Sequence, residues 1–224
     1  MIDIKHNITI IEQQIFQACQ QSQRSNDQVQ LLAVSKTKPI TMIEQAYQAG
    51  QRAFGENYVQ EAIEKIALLT HLPDINWHFI GPIQTNKTKQ IATNFAWVHS
   101  VDRIKVATRL NEHRSLQDTP LNVCLQVNIS EEDSKSGISI EELPHLVDYV
   151  SQCQHLTLRG LMAIPEKNAT MASYEKMHQL YSLLQQSHPQ IDTLSMGMSN
   201  DLLAAISHGA TMVRIGSAIF GQRN

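Results

Sequence analysis

Cysteine is scarce in this 224-residue chain, and its scarcity argues against two classes of protein. The three cysteines, Cys19, Cys124 and Cys153, make an odd count. None of them lies in a CxxC motif or has the Cys/His spacing of a zinc site. We therefore predict neither a disulfide framework nor a structural zinc ion. A reducing cytoplasm fits this cysteine content best.

Long apolar runs and an excess of charge of one sign are also missing. No stretch approaches the length of a membrane span, and residues 1–6 lack the basic and apolar regions that begin a signal peptide. The formal net charge is −3 and charged residues make up 17% of the chain, which does not indicate nucleic-acid binding. We expect a cytoplasmic protein without a membrane or nucleic-acid partner.

The chain has no Pro-, Gly- or Ser-rich linker, no short-period repeat and no low-complexity tract. Its length is within the range of one α/β barrel or one large α/β domain. We therefore expect residues 1–224 to form a single domain.

Short apolar runs alternate with amphipathic stretches after a helical segment at residues 8–23. The predicted strands are residues 30–36, 52–57, 76–81, 96–102, 121–129, 156–164, 193–198 and 212–215. The predicted helices between them are residues 41–49, 58–69, 86–93, 103–114, 140–152, 171–186 and 201–208. This alternation is typical of a parallel sheet. Eight strands favour a single (β/α)8 TIM-type barrel with an extra N-terminal helix, and a doubly wound open sheet is the alternative.

Two predicted helices carry start signals just after a strand. Thr41 precedes Glu44 at capping-box spacing. Residues 199–201, Ser-Asn-Asp, stand before the helix of residues 201–208. The helix N-termini would then face the ends of the strands.

Lys36 ends the apolar run of residues 31–35. A buried strand would bring this amine to the edge of the core, where desolvation lowers an amine pKa that is about 10.4 in water. The neutral amine is a nucleophile that forms a Schiff base with a carbonyl group. The alternative is a solvated lysine that only marks the end of the strand.

Two Gly/Ser pairs follow the last two predicted strands. Gly197 and Ser199 stand before a helix, and Gly216 and Ser217 repeat the pattern. Glycine allows close approach of the backbone, serine supplies a hydroxyl, and a helix N-terminus offers free N–H groups. Barrels commonly hold phosphate in these two loops, so we predict a phosphate site. The alternatives are an N-cap role for Ser199 and a tight turn at Gly216.

Five further features near the predicted strand ends have two interpretations each. Arg214 stays charged and needs an acceptor, which is either a ring nitrogen of a ligand or a neighbouring carboxylate. Asn57 donates to a ligand or caps the next helix, and Met162 packs against a ligand ring or fills the core. His78 is a ligand contact or a hydrogen-bonded core histidine. Residues 133–137, which include Lys135, form a solvated loop or a basic lid.

Several segments together resemble a known family. They are LLAVSKTKP (31–39), FGENYVQE (54–61), WHFIGPIQTNK (77–87), SKSG (134–137), RGLM (159–162), GMS (197–199) and RIGSAIFG (214–221). Their pattern resembles the pyridoxal phosphate homeostasis protein family over nearly the whole chain.

The resemblance implies a barrel like the N-terminal domain of alanine racemase, with pyridoxal 5′-phosphate bound as a Schiff base to Lys36. It implies that Ser199, Gly216 and Ser217 hold the phosphate and that Arg214 faces the pyridine nitrogen. Ser217 stands where threonine is common in the family, and both residues supply a hydroxyl. The predicted cofactor-binding residues are therefore Lys36, Asn57, His78, Met162, Ser199, Arg214, Gly216 and Ser217.

Three functions compete at this point. The resemblance implies storage, delivery and buffering of vitamin B6, with apo-enzymes as candidate recipients and with effects on amino-acid metabolism. A racemase needs acid/base groups on both faces of its substrate. In the racemases a following domain supplies the second group, whereas this sequence ends at Asn224, and His78 is the first candidate to replace it. A Schiff-base aldolase that uses Lys36 on a phosphorylated sugar is the third function. We expect a monomer without substantial catalytic turnover, since an arginine at the ring nitrogen weakens the cofactor as an electron sink.

Overall fold

The computed structural model describes residues 2–130, 136–165 and 170–222. Its strands are parallel and follow one another around the sheet, and β1 pairs with β8 to close a barrel. The strands are β1 (Gln30–Val34), β2 (Ala53–Glu56), β3 (Asn76–Phe79), β4 (Trp97–Val101), β5 (Leu121–Gln126), β6 (Leu156–Met162), β7 (Thr193–Ser195) and β8 (Met212–Ile215). The predicted (β/α)8 barrel is confirmed, and the doubly wound open sheet is wrong.

Helices alternate with the strands along the described chain. They are α1 (Ile4–Gln21), α2 (Ile40–Gln48), α3 (Val59–Leu68), α4 (Thr88–Asn94), α5 (Ile104–Arg114), α6 (Leu143–Ser151), α7 (Met171–Ser187), α8 (Leu202–Ser207) and α9 (Ser217–Phe220). Single 3-10 turns lie at Asn26–Gln28 and Thr85–Lys87. The short α9 was not predicted because four residues are too few to show a helical period.

The first helix starts earlier than the sequence predicts. Asp3 is its N-cap and accepts a hydrogen bond from the backbone N–H of His6 at 2.9 Å. Ile4 and Ile8 are buried on one face of α1, one turn apart. The segment before residue 8 therefore belongs to the same amphipathic helix.

The predicted capping box at the start of the second helix is wrong. This helix begins at Ile40, and Pro39 takes the N-cap position without a side-chain hydrogen bond. Thr41 and Glu44 both lie inside its first two turns. The ring of Pro39 fixes a backbone angle that suits the entry to a helix and removes an N–H group that would need a partner.

Apolar side chains form two layers, one on each side of the sheet. In β1, Leu31 and Ala33 belong to the large core between the barrel and the helices, whereas Leu32 and Val34 face the barrel axis. The inner apolar groups are Leu32, Val34, Ala53, Ile80 and Met212, and separately Trp97, Cys124 and Met162. Polar side chains occupy other positions of the same inner face, so the barrel interior is only partly apolar.

Most predicted strands run past the observed ones at their C-terminal ends. The first strand ends at Val34 rather than at residue 36, and the seventh ends at Ser195 rather than at residue 198. The first residue beyond a strand often still donates to its neighbour, as Ser35 does to the backbone oxygen of Gly55 at 3.0 Å, but the regular pairing ends there. Lys36 and Ser199 therefore lie in loops.

Within the described ranges, no helix is both long enough and apolar enough to cross a membrane. The same residues contain no cluster of His, Cys, Asp and Glu side chains that could hold a metal ion. Cys19, Cys124 and Cys153 carry free thiols. Lys135 and most of the predicted loop 133–137 lie outside the described residues.

Candidate functional site

A cavity of about 360 Å³ opens at the C-terminal ends of the barrel strands. Its lining residues are Val34, Lys36, Lys38, Asn57, Ile80, Ile164, Met198, Ser199, Arg214, Gly216, Ser217 and Gly221. They come from the ends of β1, β2, β3, β6, β7 and β8 and from the loops that follow. Barrels place their ligand sites at this end, because the loops after all the strands converge there.

The structure brings together most of the residues that the sequence predicts for the site. Those that line the cavity are Lys36, Asn57, Ser199, Arg214, Gly216 and Ser217. His78 and Met162 are not lining residues, and both are completely buried inside the barrel. Met162 packs against Trp97 and Cys124, which supports the alternative in which it fills the core.

Two lysines line the cavity, and the structure gives one of them an anchoring role. The Nζ atom of Lys38 donates to the backbone oxygens of Gly221 at 2.8 Å and Gln222 at 3.0 Å. Lys38 therefore ties the loop after β1 to the segment after α9. Lys36 stands two residues earlier, where the first strand gives way to that loop.

Arg214 lies on the inner face of β8 and is 5% exposed. Its Nη1 atom donates to Ser195 Oγ at 2.8 Å, and its Nη2 atom donates to the backbone oxygen of Ala163 at 2.9 Å. Burial lowers the pKa of the guanidinium to about 10, so it stays charged at neutral pH. Within the described ranges its hydrogen bonds thus go to neutral acceptors, and not to the neighbouring carboxylate that the sequence left as an alternative.

A chain of hydrogen bonds continues from Arg214 into the barrel. Ser195 Oγ lies 2.9 Å from His99 Nδ1, and His99 Nε2 lies 2.9 Å from His78 Nδ1. Burial lowers the pKa of His78 to about 3 and that of His99 well below its usual range, so both rings are neutral.

The protons in this chain have one best arrangement. Because Arg214 can only donate, the hydroxyl of Ser195 is free to donate to His99, and His99 then donates to His78. In the reverse arrangement His78 would donate to His99 and His99 would donate to Ser195. The hydroxyl hydrogen of Ser195 would then have no acceptor in this chain of hydrogen bonds. His78 Nε2 has no hydrogen-bond partner among the described residues, and the ring stacks on Trp97 with 5.2 Å between centroids.

Asn57 lines the cavity and carries an unsatisfied polar atom. Its Oδ1 atom is buried and has no hydrogen-bond partner in the described part of the chain. The N-cap of α3 is Tyr58, which makes no side-chain cap bond, so the predicted alternative of a capping Asn57 is wrong. An unpaired buried amide oxygen costs about 1–3 kcal/mol, which a ligand that pairs with it would remove.

The loop after β7 requires its glycine. Gly197 has a φ of +97°, and a Cβ atom there would lie 2.5 Å from the Cβ of Ala205. The N-cap of α8 is Asp201, whose carboxylate accepts the Met198 N–H at 2.6 Å. Ser199 is therefore not an N-cap. It is exposed and lines the cavity.

The loop after β8 approaches the first strand closely. A Cβ atom at Gly216 would lie 3.2 Å from the backbone oxygen of Val34 and 3.4 Å from its Cβ, so a larger residue would crowd the wall. Ser217 opens α9, in which the N–H groups of Ile219 and Phe220 donate to the backbone oxygen of Gly216 at 3.0 and 2.9 Å. The hydroxyl of Ser217 therefore lies at this wall, at the start of a single helical turn.

Sequence reasoning missed a buried charged cluster beside the loop after β1. Lys65 Nζ donates to the backbone oxygen of Ser35 at 2.7 Å, to Glu56 Oε1 at 2.8 Å and to Glu61 Oε1 at 2.5 Å. Ser35 Oγ donates to Glu56 Oε1 at 2.7 Å. We call these four residues the Lys65 cluster. One sequence signal could have revealed the cluster. Lys65 lies three residues after Ala62, which places both on the same, buried face of α3.

Comparison with known proteins assigns the chain to a family. The sequence profile of the family "Alanine racemase, N-terminal domain" matches residues 4–224. The chain is 53% identical over 230 residues to the pyridoxal phosphate homeostasis protein of Haemophilus influenzae, an alignment that covers 100% of this chain and 97% of that protein. The chain belongs to the pyridoxal phosphate homeostasis protein family. The family member of Pseudomonas aeruginosa is 55% identical over 225 residues, with 100% and 97% covered.

Solved structures agree with this family assignment. PipY of Synechococcus elongatus PCC7942, solved with PLP bound, is 38% identical with a TM-score of 0.83, and the match covers 97% of this chain and all of PipY. Alanine racemase of Corynebacterium glutamicum is 17% identical with a TM-score of 0.72, and the match covers 99% of this chain and 61% of the racemase. The second match shows a shared fold. The resemblance to pyridoxal phosphate homeostasis proteins is thereby confirmed.

Proposed function

We propose that this protein binds pyridoxal 5′-phosphate as a Schiff base on Lys36 and takes part in the intracellular homeostasis of vitamin B6 by storing, delivering and buffering the cofactor. The observation that carries the proposal is one cavity lined by Lys36, Arg214 and the loop of Gly216 and Ser217. Relatives named for this role share about half of its residues over the whole chain.

The residues at the cavity suit the groups of the cofactor. Pyridoxal phosphate supplies an aldehyde, which condenses with a primary amine with loss of water. Lys36 offers that amine, and the hydroxyls of Ser199 and Ser217 are suited to a phosphate group. The buried amide oxygen of Asn57, unpaired among the described residues, offers a further polar contact.

Arg214 favours a role in binding and delivering the cofactor over a role in catalysis. Its guanidinium stays protonated and can only donate, so it would face the pyridine nitrogen as a hydrogen-bond donor. A ring nitrogen that accepts this hydrogen bond is disfavoured from taking a proton of its own. An unprotonated ring draws electrons weakly, which is a poor basis for chemistry at an amino-acid α-carbon.

The racemase alternative is not favoured. The relatives at about 50% identity carry the homeostasis name, and alanine racemase of Corynebacterium glutamicum shares the fold at 17% identity. His78, the residue that the sequence offers as a second base, is completely buried away from the cavity lining. We expect no sustained racemisation of L-alanine by the purified protein, measured by chiral chromatography. Racemisation that is lost in Lys36→Ala would contradict this.

The attachment site is tested by spectroscopy. Purified protein mixed with pyridoxal phosphate should turn yellow, and borohydride should fix the chromophore to the chain. Peptide mapping of the reduced protein should find the modification on Lys36. A modification on Lys38 or Lys135 instead, or none at all, would contradict the proposal.

We further propose that the protein is a cytoplasmic monomer that gives its cofactor to apo-enzymes. Its three free thiols suit a reducing compartment. The recipient is tested by mixing loaded protein with an apo-enzyme, with and without a scavenger for free pyridoxal phosphate. Direct transfer should survive the scavenger, whereas release into solution should not. Sedimentation of the loaded protein tests whether it is a monomer.

A further inference from the structure

The residue directly after Lys36 has a strained backbone. Thr37 has a φ of +62°, in the left-handed region that β-branched residues rarely adopt. Backbone strain of this kind persists only where surrounding contacts hold it in place. The N–H group of Thr37 donates to Glu61 Oε1 at 2.6 Å. A side chain of α3 therefore holds the turn that follows Lys36.

The residue directly before Lys36 is held by the same group of side chains. Both the hydroxyl and the backbone oxygen of Ser35 are bound, the first by Glu56 at 2.7 Å and the second by Lys65 at 2.7 Å. Lys65 also contacts Glu61, which links the two flanks. The Lys65 cluster thus fixes the chain on both sides of Lys36 through connected hydrogen bonds.

Stability alone does not account for this cluster. Glu56 is 0% and Lys65 is 5% exposed, and an ion pair buried this deeply loses the hydration of both charges. Replacing such a pair with apolar side chains is often neutral or stabilising. Glu56 Oε2 has no hydrogen-bond partner among the described residues, so the pairing is incomplete. Desolvation raises the pKa of Glu56 even though Lys65 opposes it.

We propose that the Lys65 cluster positions Lys36, so that its amine stands where the aldehyde of pyridoxal phosphate arrives. This inference rests on the proposed function, in which Lys36 forms the Schiff base. In that step the neutral amine nitrogen forms a bond to the aldehyde carbon. The carbonyl oxygen leaves as water and takes both amine hydrogens with it. Such a reaction depends on placement, because a displacement of about 1 Å can slow an oriented reaction roughly 100-fold.

The main test is Lys65→Met, which removes the three donors and keeps an unbranched side chain. Apo-protein is mixed with pyridoxal phosphate in a stopped-flow instrument, and the growth of the Schiff-base absorbance is recorded. We expect a rate about 10- to 100-fold below that of the wild type. The dissociation constant for pyridoxamine 5′-phosphate, which has no aldehyde, should stay within about twofold, since the cavity walls themselves are unchanged.

Two Glu61 variants test the link to Thr37. Glu61→Gln keeps an oxygen that accepts the Thr37 N–H, whereas Glu61→Ala removes it. We expect Glu61→Gln to react at close to the wild-type rate and Glu61→Ala to react several-fold more slowly. Equal slowing in both variants would contradict the positioning role of this hydrogen bond.

Arg114→Met is the matched control. Arg114 is 6% exposed, and it donates to the backbone oxygens of Ala92 at 2.6 Å, Phe95 at 2.9 Å and Thr119 at 2.7 Å. It is a buried cation that holds backbone carbonyls, as Lys65 holds that of Ser35, but it does not line the cavity. This variant should unfold at lower urea and keep the wild-type rate.

Two results would overturn the inference. The first is a wild-type rate in Lys65→Met. The second is a weakening of pyridoxamine 5′-phosphate binding in Lys65→Met by the same factor as the loss of the Schiff-base rate with pyridoxal phosphate. That result would mean that the cluster only supports the fold. If Lys65→Met does not fold, Glu61→Ala decides, because the Glu61 side chain is 29% exposed and tolerates change better. Failure of the proposed function would appear separately, as wild-type protein that forms no Schiff base or as Lys36→Ala that still forms one.

Discussion

Both ends of the barrel hold a cavity with charged side chains, but of these two cavities only the one at the C-terminal end is lined by a residue with a buried polar atom that lacks a partner among the described residues. The cavity at the N-terminal ends of the strands is the larger one, about 600 Å³, and its lining includes Arg24 and Arg159. Arg24 Nη1 donates to the backbone oxygens of Ile206 and Ala210, both at 2.8 Å. This guanidinium therefore binds backbone oxygens at and just after the C-terminal end of α8.

Arg159 is also held by the protein. Its Nη1 atom donates to Asn122 Oδ1 at 2.9 Å, and its Nε atom donates to Asp192 Oδ1 at 3.0 Å. The guanidinium also lies 4.6 Å from the ring centroid of Trp97. Both arginines at this end therefore find their partners within the protein.

The C-terminal end leaves polar groups for a ligand. Asn57 Oδ1 is unpaired among the described residues, and the side chains of Ser199 and Ser217 are exposed, whereas Arg214 is held by the protein as the two arginines at the other end are. An unsatisfied polar group therefore identifies a site better than volume does, since the larger cavity is lined by none of the residues whose buried side-chain atoms lack a partner in the described part of the chain.

The largest effect is expected from Lys36→Ala, which removes the amine at the C-terminal end. The variant should lose the Schiff-base absorbance completely and keep its fold, because a loop lysine contributes chemistry more than packing. Absorbance and circular dichroism of the variant check this. Pyridoxal phosphate should still bind non-covalently through the phosphate contacts. An unchanged spectrum would move the attachment to another lysine and remove the main distinction between the two ends.

The next effect concerns the phosphate side of the same cavity. Ser199→Ala and Ser217→Ala should each weaken pyridoxal phosphate by about 1.5–3 kcal/mol, the value of a charge-assisted hydrogen bond. Binding of pyridoxal, which has no phosphate, should hardly change. Titration calorimetry with both ligands measures the difference. Equal weakening of both ligands would mean that the loops act only through the fold.

The layer between the two ends should be sensitive to acid. The pKa of His78 is lowered to about 3 in the folded protein, against about 6.5 in the unfolded chain. Between these values the unfolded chain binds more protons, so stability rises with pH and is lost as the pH falls below about 6.5. At pH 5 this one histidine should cost about 2 kcal/mol relative to pH 7.5.

Urea unfolding of the wild type and of His78→Gln at both pH values isolates this contribution. The wild type should lose about 2 kcal/mol more than the variant, since the variant lacks the titrating group. The same pH dependence in both proteins would show that His78 is hydrated and that the barrel interior is not a dry boundary between the two cavities.

The smallest effect is expected at the N-terminal end. Arg159→Ala should lower the free energy of unfolding by about 1 kcal/mol, because it removes a partly exposed ion pair and a cation–π contact. The affinity for pyridoxal phosphate should not change. A clear loss of affinity in this variant would show that the two ends of the barrel are coupled.

The order of elements could be predicted because it follows from local patterns. Apolar runs such as residues 31–35 and the amphipathic stretches between them reveal strands and helices one at a time. The ends of the elements could not be predicted, since a strand stops where its neighbour stops. Ser35 still pairs with Gly55, but beyond it no partner strand continues and the chain turns.

The residues of the site also divide into those that leave a local signal in the sequence and those that do not. Lys36, Ser199 and Gly216 could be predicted because each follows a strand that the sequence reveals. The Lys65 cluster joins residues 30 positions apart, and the contact of His99 with Ser195 joins residues 96 positions apart, so neither leaves a local signal.

His78 and Met162 were predicted at the cavity because both lie near the C-terminal end of a predicted strand, where the strands of a barrel converge. Both are completely buried in the barrel and do not line the cavity. Nearness to a strand end in the sequence does not tell how deep along the barrel axis a side chain lies.

The bonds of Lys38 to Gly221 and Gln222 also bear on when during synthesis the site can form. Lys36 leaves the ribosome well before Arg214 and Ser217, because synthesis runs from the N-terminus. A nascent chain therefore has Lys36 long before it has the loops that carry Ser199 and Ser217. Only after β8 closes the barrel against β1 do both halves of the cavity exist together. Retention of pyridoxal phosphate would thus mark chains that have closed their barrel.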